Sequence, residues 1–309
     1  MKKLFFLVFV LLIVFCVVAG QFVYAQHPAF NNNPFFGRND RSMYNPGKQP
    51  HGGAGVLDYM QLTPPKEFKS NFIFLHRGTI MPKSGIGEHA HRRMQEMFIV
   101  LDRYAEFTVN GKTAEIPAVG MVVCPMGSSH GIYNPSDHPV EWMNWGISND
   151  NRMYDAVNFN TKGDDLVNQE LESPPTFMWA VLNRDMLHPV EKFCGGKGTV
   201  FTREVWTSDD FKTNWEYLHH YLIPPGSSIG LHRHDNMEVV YYILSGKGRG
   251  TVNDATYDII EGDAMSCTLH NSIGVYNNSN EDMEIMAVGV SMVKGETDCN
   301  PLGDDLSGR

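Results

Sequence analysis

The sequence predicts an all-β protein made of two tandem copies of one sandwich or barrel unit. Three observations predict it. From about Phe72 onward, short apolar runs are broken roughly every eight to twelve residues by Gly, Pro, Asn or Asp. No long stretch carries a helical period. Sliding the chain by 143 residues lays one long block on another, with about a third of the aligned positions identical.

Read in order, the chain opens on Met1-Lys2-Lys3, an apolar run from Leu4 to Gly20, and Val23-Tyr24-Ala25 before Gln26. A basic head, an apolar stretch and a small residue at the cut point describe a secretory signal peptide over 1–25, with an uncleaved membrane anchor as the alternative. Cys16 follows the bulky Phe15, which speaks against a lipoprotein cut. The expected location is therefore the periplasm or the exterior. Residues 26–69, rich in Asn, Gly and Pro, read as a tether.

The first copy, 70–150, contains the runs Phe72–Leu75, Met97–Leu101, Phe107–Val109 and Trp142–Ile147. Asn110-Gly111 is a hairpin signal. Residues 151–212 link the copies, with strand expected at Thr199–Trp206, the second copy covers 213–295, and 296–309 is a tail. The offset brings Asn71, Leu75 and His76 onto Asn214, Leu218 and His219, and His89 and His91 onto His232 and His234. Cys124 falls on Cys267, so each reads as a small buried residue of its own unit. That leaves Cys194 and Cys299 as a disulfide candidate in an exported chain.

The formal charge is −10 and the pI about 5.7. This acidic balance, with no helix-turn-helix segment, argues against a nucleic-acid partner. A small-molecule substrate and a homo-oligomer are the expected partners, with no membrane contact once the leader is cut.

His89-Ala90-His91 carries the chemistry. On a strand, residues i and i+2 share a face, so both imidazoles aim at one point. Glu96 completes a two-His, one-carboxylate set that suits a metal with open positions. Gln95 is the ambiguous neighbour: a strand register one residue shorter would turn it, and not Glu96, toward the metal.

The first copy reads Gly-x3-His89-x-His91-x4-Glu96, then Gly120-x4-Pro125-x-Gly127-x2-His130-x3-Asn134. This pattern resembles the two sequence motifs of the cupin superfamily, and the duplication resembles its two-domain members, the bicupins, over about 70–295. The resemblance implies double-sheet jelly-roll barrels. It also implies one divalent transition metal (Mn, Fe, Ni, Cu or Zn) held by His89, His91, Glu96 and His130. Two departures stand out: the first Gly lies closer to the histidines than usual, and Arg103 stands where a turn Gly is usual. Three imidazoles and a carboxylate leave two positions open on a six-coordinate ion. Tyr133, Asn134 and Gln95 are candidate pocket residues.

The second copy departs further. Val239 stands where Glu96 is, Ile273 where His130 is, and Glu238 where Gln95 is. Two readings stand: a weaker metal site of His232, His234 and Glu238, with His270 swinging in, or a structural partner filled with apolar side chains. His76 and His219 read as satisfied structural histidines, the methionines around the first site as core packing, and Trp142 and Trp145 as buried. The implied activity is that of a metal-dependent enzyme on a sugar acid, keto acid or phenol, as a dioxygenase, decarboxylase, lyase or isomerase. The alternative is a non-catalytic binding or storage protein.

Overall fold

The computed structural model describes residues 28–159 and 170–309, so the leader lies outside the described residues. Within them there is no α-helix, only strands and short 3-10 turns, and no helix long and apolar enough to cross a membrane.

Each unit is a seven-stranded sheet facing a five-stranded one. In the first unit the larger sheet runs Trp179–Val181, Gly120–Cys124, Met94–Val100, Val140–Ser148, Phe72–Ile80, Val56–Gln61, Asn45–Lys48. Its smaller sheet runs Val157–Asn158, Ser84–Ala90, Ser129–Asn134, Tyr104–Val109, Lys112–Pro117. In the second unit the larger sheet runs Phe36–Arg38, Asp263–Cys267, Met237–Ser245, Met283–Ser291, Trp215–Ile223, Thr199–Thr207, His188–Glu191. Its smaller sheet runs Ala255–Ile260, Lys247–Val252, Ser272–Tyr276, Ser228–Arg233, Asn300–Pro301. Among the described residues no hydrogen-bonded strand joins the two sheets of a unit, so each is an open double-sheet jelly roll and not a closed barrel. The chain passes between sheets through turns, and Lys112–Pro117 and Ala255–Ile260 remain as edges.

The residues expected to be a loose tether are built into both units. Phe36–Arg38 pairs with Asp263–Cys267 of the second unit, while Asn45–Lys48 and Val56–Gln61 extend the larger sheet of the first. The linker mirrors this: Trp179–Val181 pairs with Gly120–Cys124 of the first unit, and His188–Glu191 and Thr199–Thr207 extend the second. The two segments are thus equivalent arms, and each gives its first strand to the other unit. Turn-rich composition concealed this, because short edge strands of Asn, Pro and Gly carry little apolar period. The Asn110-Gly111 hairpin forms as expected, with Val109 opposite Lys112 and both turn residues at positive φ.

Period-two alternation divides each central strand between two cores. In Met94–Val100, Met97 and Ile99 face a shared core between the units, while Phe98 and Val100 face the interior of the first. In Met237–Ser245, Val240 and Tyr242 face the shared core, and Val239, Tyr241 and Ile243 the interior of the second. The shared core also takes Met121, Met143 and Trp145, as packing residues, together with Phe68 and Phe211, which stack on Phe72 and Trp215. Cys124 and Cys267 are buried, as expected of their repeat position.

Candidate metal centre

The same alternation decides between Gln95 and Glu96. Glu96 shares the inward face of Phe98 and Val100; Gln95 shares the outward face of Met97 and Ile99. Gln95 Oε1 there accepts from the backbone N–H groups of Lys212 (2.5 Å) and Thr213 (2.7 Å). It is not a pocket residue.

Inside the first unit, His89, His91, Glu96 and His130 converge, each between 1% and 3% exposed. Ser84–Ala90 supplies His89, and His91 follows at its end; the adjacent strand supplies His130, directly opposite His89 in register. All three imidazoles turn Nε2 toward the Glu96 carboxylate: His130 at 3.2 Å, His91 at 3.4 Å, His89 at 3.8 Å. The Nδ1–H groups of the strand pair are committed elsewhere. His89 donates to the Gly87 carbonyl at 2.9 Å and His91 to the Asp155 carbonyl. The Asp155 carboxylate in turn accepts from the N–H groups of Arg92 and Arg93. Such outer contacts select the tautomer that leaves Nε2 free as a ligand.

Burial alone would raise the Glu96 carboxyl, but the charge of His91 and the hydrogen bonds of His130 and His89 hold it well below the usual carboxylate range. Burial pushes His89 and His130 down. At His91 burial also acts downward, yet Glu96 and the Asp155 carbonyl raise it. His91 Nε2 is buried with no hydrogen-bond partner among the described residues. An orphaned lone pair beside a carboxylate and two more imidazoles is a costly arrangement in a dry interior. A divalent cation satisfies it, so these residues fit a metal.

A cavity of about 440 Å³ opens over the site. Leu57, Phe98 and Trp142 form apolar walls; Tyr59, His76 and Asn144 add polar groups. Among the described residues no Lys or Arg lines it. His76 places Nδ1 3.1 Å from Asn144 Oδ1 and stacks on Phe74, a satisfied histidine that nonetheless borders the cavity. Tyr133 and Asn134 do not line the cavity. Asn134 holds a turn instead, donating to the carbonyls of Ile80, Met81 and His138.

Among the lining residues that the sequence did not indicate, two stand beside the metal centre. His51, in the arm, stacks on His89 with ring centroids 3.8 Å apart, and Tyr154 places its hydroxyl 3.2 Å from His51 Nε2. The turn at His51 lies so close to the strand that a Cβ on Gly87 would sit 2.3 Å from the His51 carbonyl oxygen. The repeat was the available signal: at the same offset, Gly52-Gly53 and Gly55 fall on Gly195-Gly196 and Gly198.

In the second unit, His232 and His234 repeat the first pair, with Nδ1–H donated to the carbonyls of Gly230 and Asp298. Glu238 does not join them. It faces the shared core and accepts from the N–H groups of Lys69 and Ser70. His270 is exposed and contacts Asp235. Of the two readings of this unit, the weaker metal site of His232, His234 and Glu238 is therefore not assembled, because one residue of strand register turns Glu238 to the opposite face. Cys194 and Cys299 are free thiols, not a disulfide.

The cupin domain profile matches residues 76–146 and 219–289. An oxalate-binding protein of Thermotoga maritima is 33% identical over 94 residues, which cover 30% of this chain and 78% of that protein. The fold is shared with the oxalate decarboxylase of Bacillus subtilis, a protein with Mn(II) centres: TM-score 0.55, 16% identity, 83% of this chain and 79% of that one. It is shared equally with hazelnut (Corylus avellana) vicilin: TM-score 0.61, 11% identity, 88% and 90% covered.

Proposed function

The chain belongs to the cupin family, with two copies of the domain, and from that premise we propose that it is an exported metal-dependent enzyme whose chemistry lies in the first unit and whose substrate is a small oxygenated organic molecule. The observation that carries this reading is the convergence of His89, His91, Glu96 and His130 beneath a cavity of small-molecule size. These four residues would hold one divalent transition metal. Such an ion, when bound, supplies a Lewis acid for a carboxylate, carbonyl or phenolate oxygen.

The chain's own residues narrow the substrate. With no Lys or Arg among the described lining residues, the metal centre is the compensating charge that they offer an anionic head. Trp142 and Phe98 favour an apolar body beside it. This fits a keto acid, sugar acid or phenol; the names of the relatives add oxalate as a compound to try. The reaction class stays open between dioxygenase, decarboxylase, lyase and isomerase. Tyr154 and His51 are the candidate proton carriers at the cavity mouth. Burial raises the Tyr154 hydroxyl, and burial with the neighbouring His89 brings His51 down to about 4, so His51 is a neutral acceptor for the Tyr154 proton at pH 7.

A turnover screen of the metal-loaded protein against keto acids, sugar acids, dicarboxylates and phenols, with Glu96→Ala as control, tests this. Turnover abolished by Glu96→Ala supports the proposal. Binding without turnover, indifferent to Glu96→Ala, supports the second reading of a small-molecule binding protein, which the oxalate-binding relative favours. Export rests on the Lys2-Lys3 head and the apolar run to Gly20. N-terminal sequencing of the native protein checks it: a start at Gln26 is expected.

A further inference from the structure

The second unit lost two interior ligands, yet its mouth gained two sulfurs. At the repeat offset, Cys194 stands where the first unit has His51, and Cys299 where it has Ala156. Both arms reach the site by the same route. Cys194 takes φ 49 as His51 takes φ 52, and a Cβ on Gly230 would lie 2.5 Å from the Cys194 carbonyl oxygen. Cys299 is brought in by the tail, which pairs with the histidine strand through Pro301 opposite His232. As a result Cys194 Sγ, Cys299 Sγ and a ring nitrogen of His232 all lie within 4.8 Å of one another.

We propose that this cluster is a second metal site, of a different kind from the first: a thiolate–imidazole centre for a soft ion, Zn²⁺ or Cu⁺, held by Cys194, Cys299 and His232. The ligand chemistry selects the ion. Two thiolates and an imidazole prefer zinc or cuprous copper over Mn²⁺ or Mg²⁺. His232 is oriented to serve as a ligand. Its Nδ1–H is bonded to the Gly230 carbonyl at 2.7 Å, leaving Nε2 as the lone-pair nitrogen. The Tyr241 hydroxyl reaches that nitrogen only at 3.4 Å, a long contact for an O–H donor.

A second observation points to a ligand independently. His234, 2% exposed, also gives its Nδ1–H to a carbonyl, and its Nε2 is buried with no hydrogen-bond partner among the described residues. It opens on the same cavity as the two cysteines. In the first unit the equivalent orphan is His91 Nε2, a member of the proposed ligand set. His234 thus adds a second buried imidazole with an unpartnered lone pair to this cavity, outside the three-residue cluster itself. Loading converts both thiols to thiolates and releases two protons to solvent; no electron transfer is required.

The experiment is an anaerobic titration of the reduced, full-length protein with Co²⁺ as an optical probe. Thiolate-to-cobalt charge transfer reports the sulfur site, because the first unit's ligand set of His89, His91, Glu96 and His130 offers nitrogen and oxygen alone. Wild type is expected to develop the band, Cys299→Ser and His232→Ala to lose it, and Glu96→Ala to keep it. Zn²⁺ should displace the probe and bleach the band. Cys194 sits in a tightly packed turn, so the exposed Cys299 is the deciding variant. Absence of the band in wild type, or its survival in Cys299→Ser, overturns the proposal. So does a thiol count showing that Cys194 and Cys299 form a disulfide as isolated, if reduction then gives no Co²⁺ uptake.

Discussion

Gln95 and Glu238 occupy the same position in the two repeats, and each reaches across the shared core to hold the other unit's arm. Gln95 accepts from the N–H groups of Lys212 and Thr213; Glu238 accepts from those of Lys69 and Ser70, the residues at the equivalent place in the other arm. Glu238→Ala strands these donors and is expected to cost on the order of 2–3 kcal/mol. Glu238→Gln should cost much less, because an amide oxygen already fills this role at position 95. Chemical denaturation measures both; an alanine variant as stable as wild type would show that the bridge adds nothing.

Arg38 makes another crossing contact. Its guanidinium bonds both Asp263 oxygens, at 2.8 and 2.7 Å, and Asp263 is buried. Arg38→Ala leaves a carboxylate without its cation, and a loss of about 3 kcal/mol is expected. Arg38→Lys keeps the charge but not the fork and should fall between. Equal stability of Arg38→Ala and wild type would mean that the first strand of the arm is not anchored here.

Much of the site was legible in the sequence, and the reason is periodicity. The His89-x-His91 pair shares a face by strand geometry, and the resemblance to the family motif implied Glu96 as the carboxylate. What stayed hidden was what the arms do. The strand at Thr199–Thr207 was expected, but its counterpart Val56–Gln61 was not, and neither was the capping of the two cavities by His51 and Cys194, because short segments set among Gly and Pro show little alternation to read. The repeat did extend into them: Arg41 and Arg184 both bond a glutamate, Glu141 and Glu284, at matching positions. Glu238 was misplaced for a different reason, because a one-residue step along a strand reverses the face and an aligned carboxylate is tempting when the true position holds Val239.

His51 stacks on a proposed ligand without being one. His51→Leu is expected to leave metal content unchanged while weakening binding of a small ligand roughly tenfold, as one polar contact at the cavity mouth is lost. Calorimetry of ligand binding, alongside elemental analysis, separates the two effects. Loss of metal in His51→Leu would make His51 part of the metal shell.

Burial lowers His51, His76 and His232 to about 4. A histidine so lowered stays neutral in the folded state while the unfolded chain, near its usual value of about 6.5, takes up a proton. Its stabilising effect is fully present above the unfolded value and is lost as pH falls from there toward the folded one. Each such group contributes up to about 1.4 kcal/mol per pH unit in that window. His76→Gln should therefore flatten the acid limb of stability against pH, followed by denaturation between about pH 6.5 and 4. Parallel curves for variant and wild type would exclude His76 from the effect.

The metal content of the first unit decides whether His89, His91, Glu96 and His130 form a working centre. With Cys194 and Cys299 both changed to Ser, so that only the first site is counted, elemental analysis should find about one divalent transition metal per chain. Adding Glu96→Ala or His130→Ala should bring it close to zero while the fold persists. A folded protein with no stoichiometric metal, or one that keeps its metal without Glu96 and His130, would contradict the account.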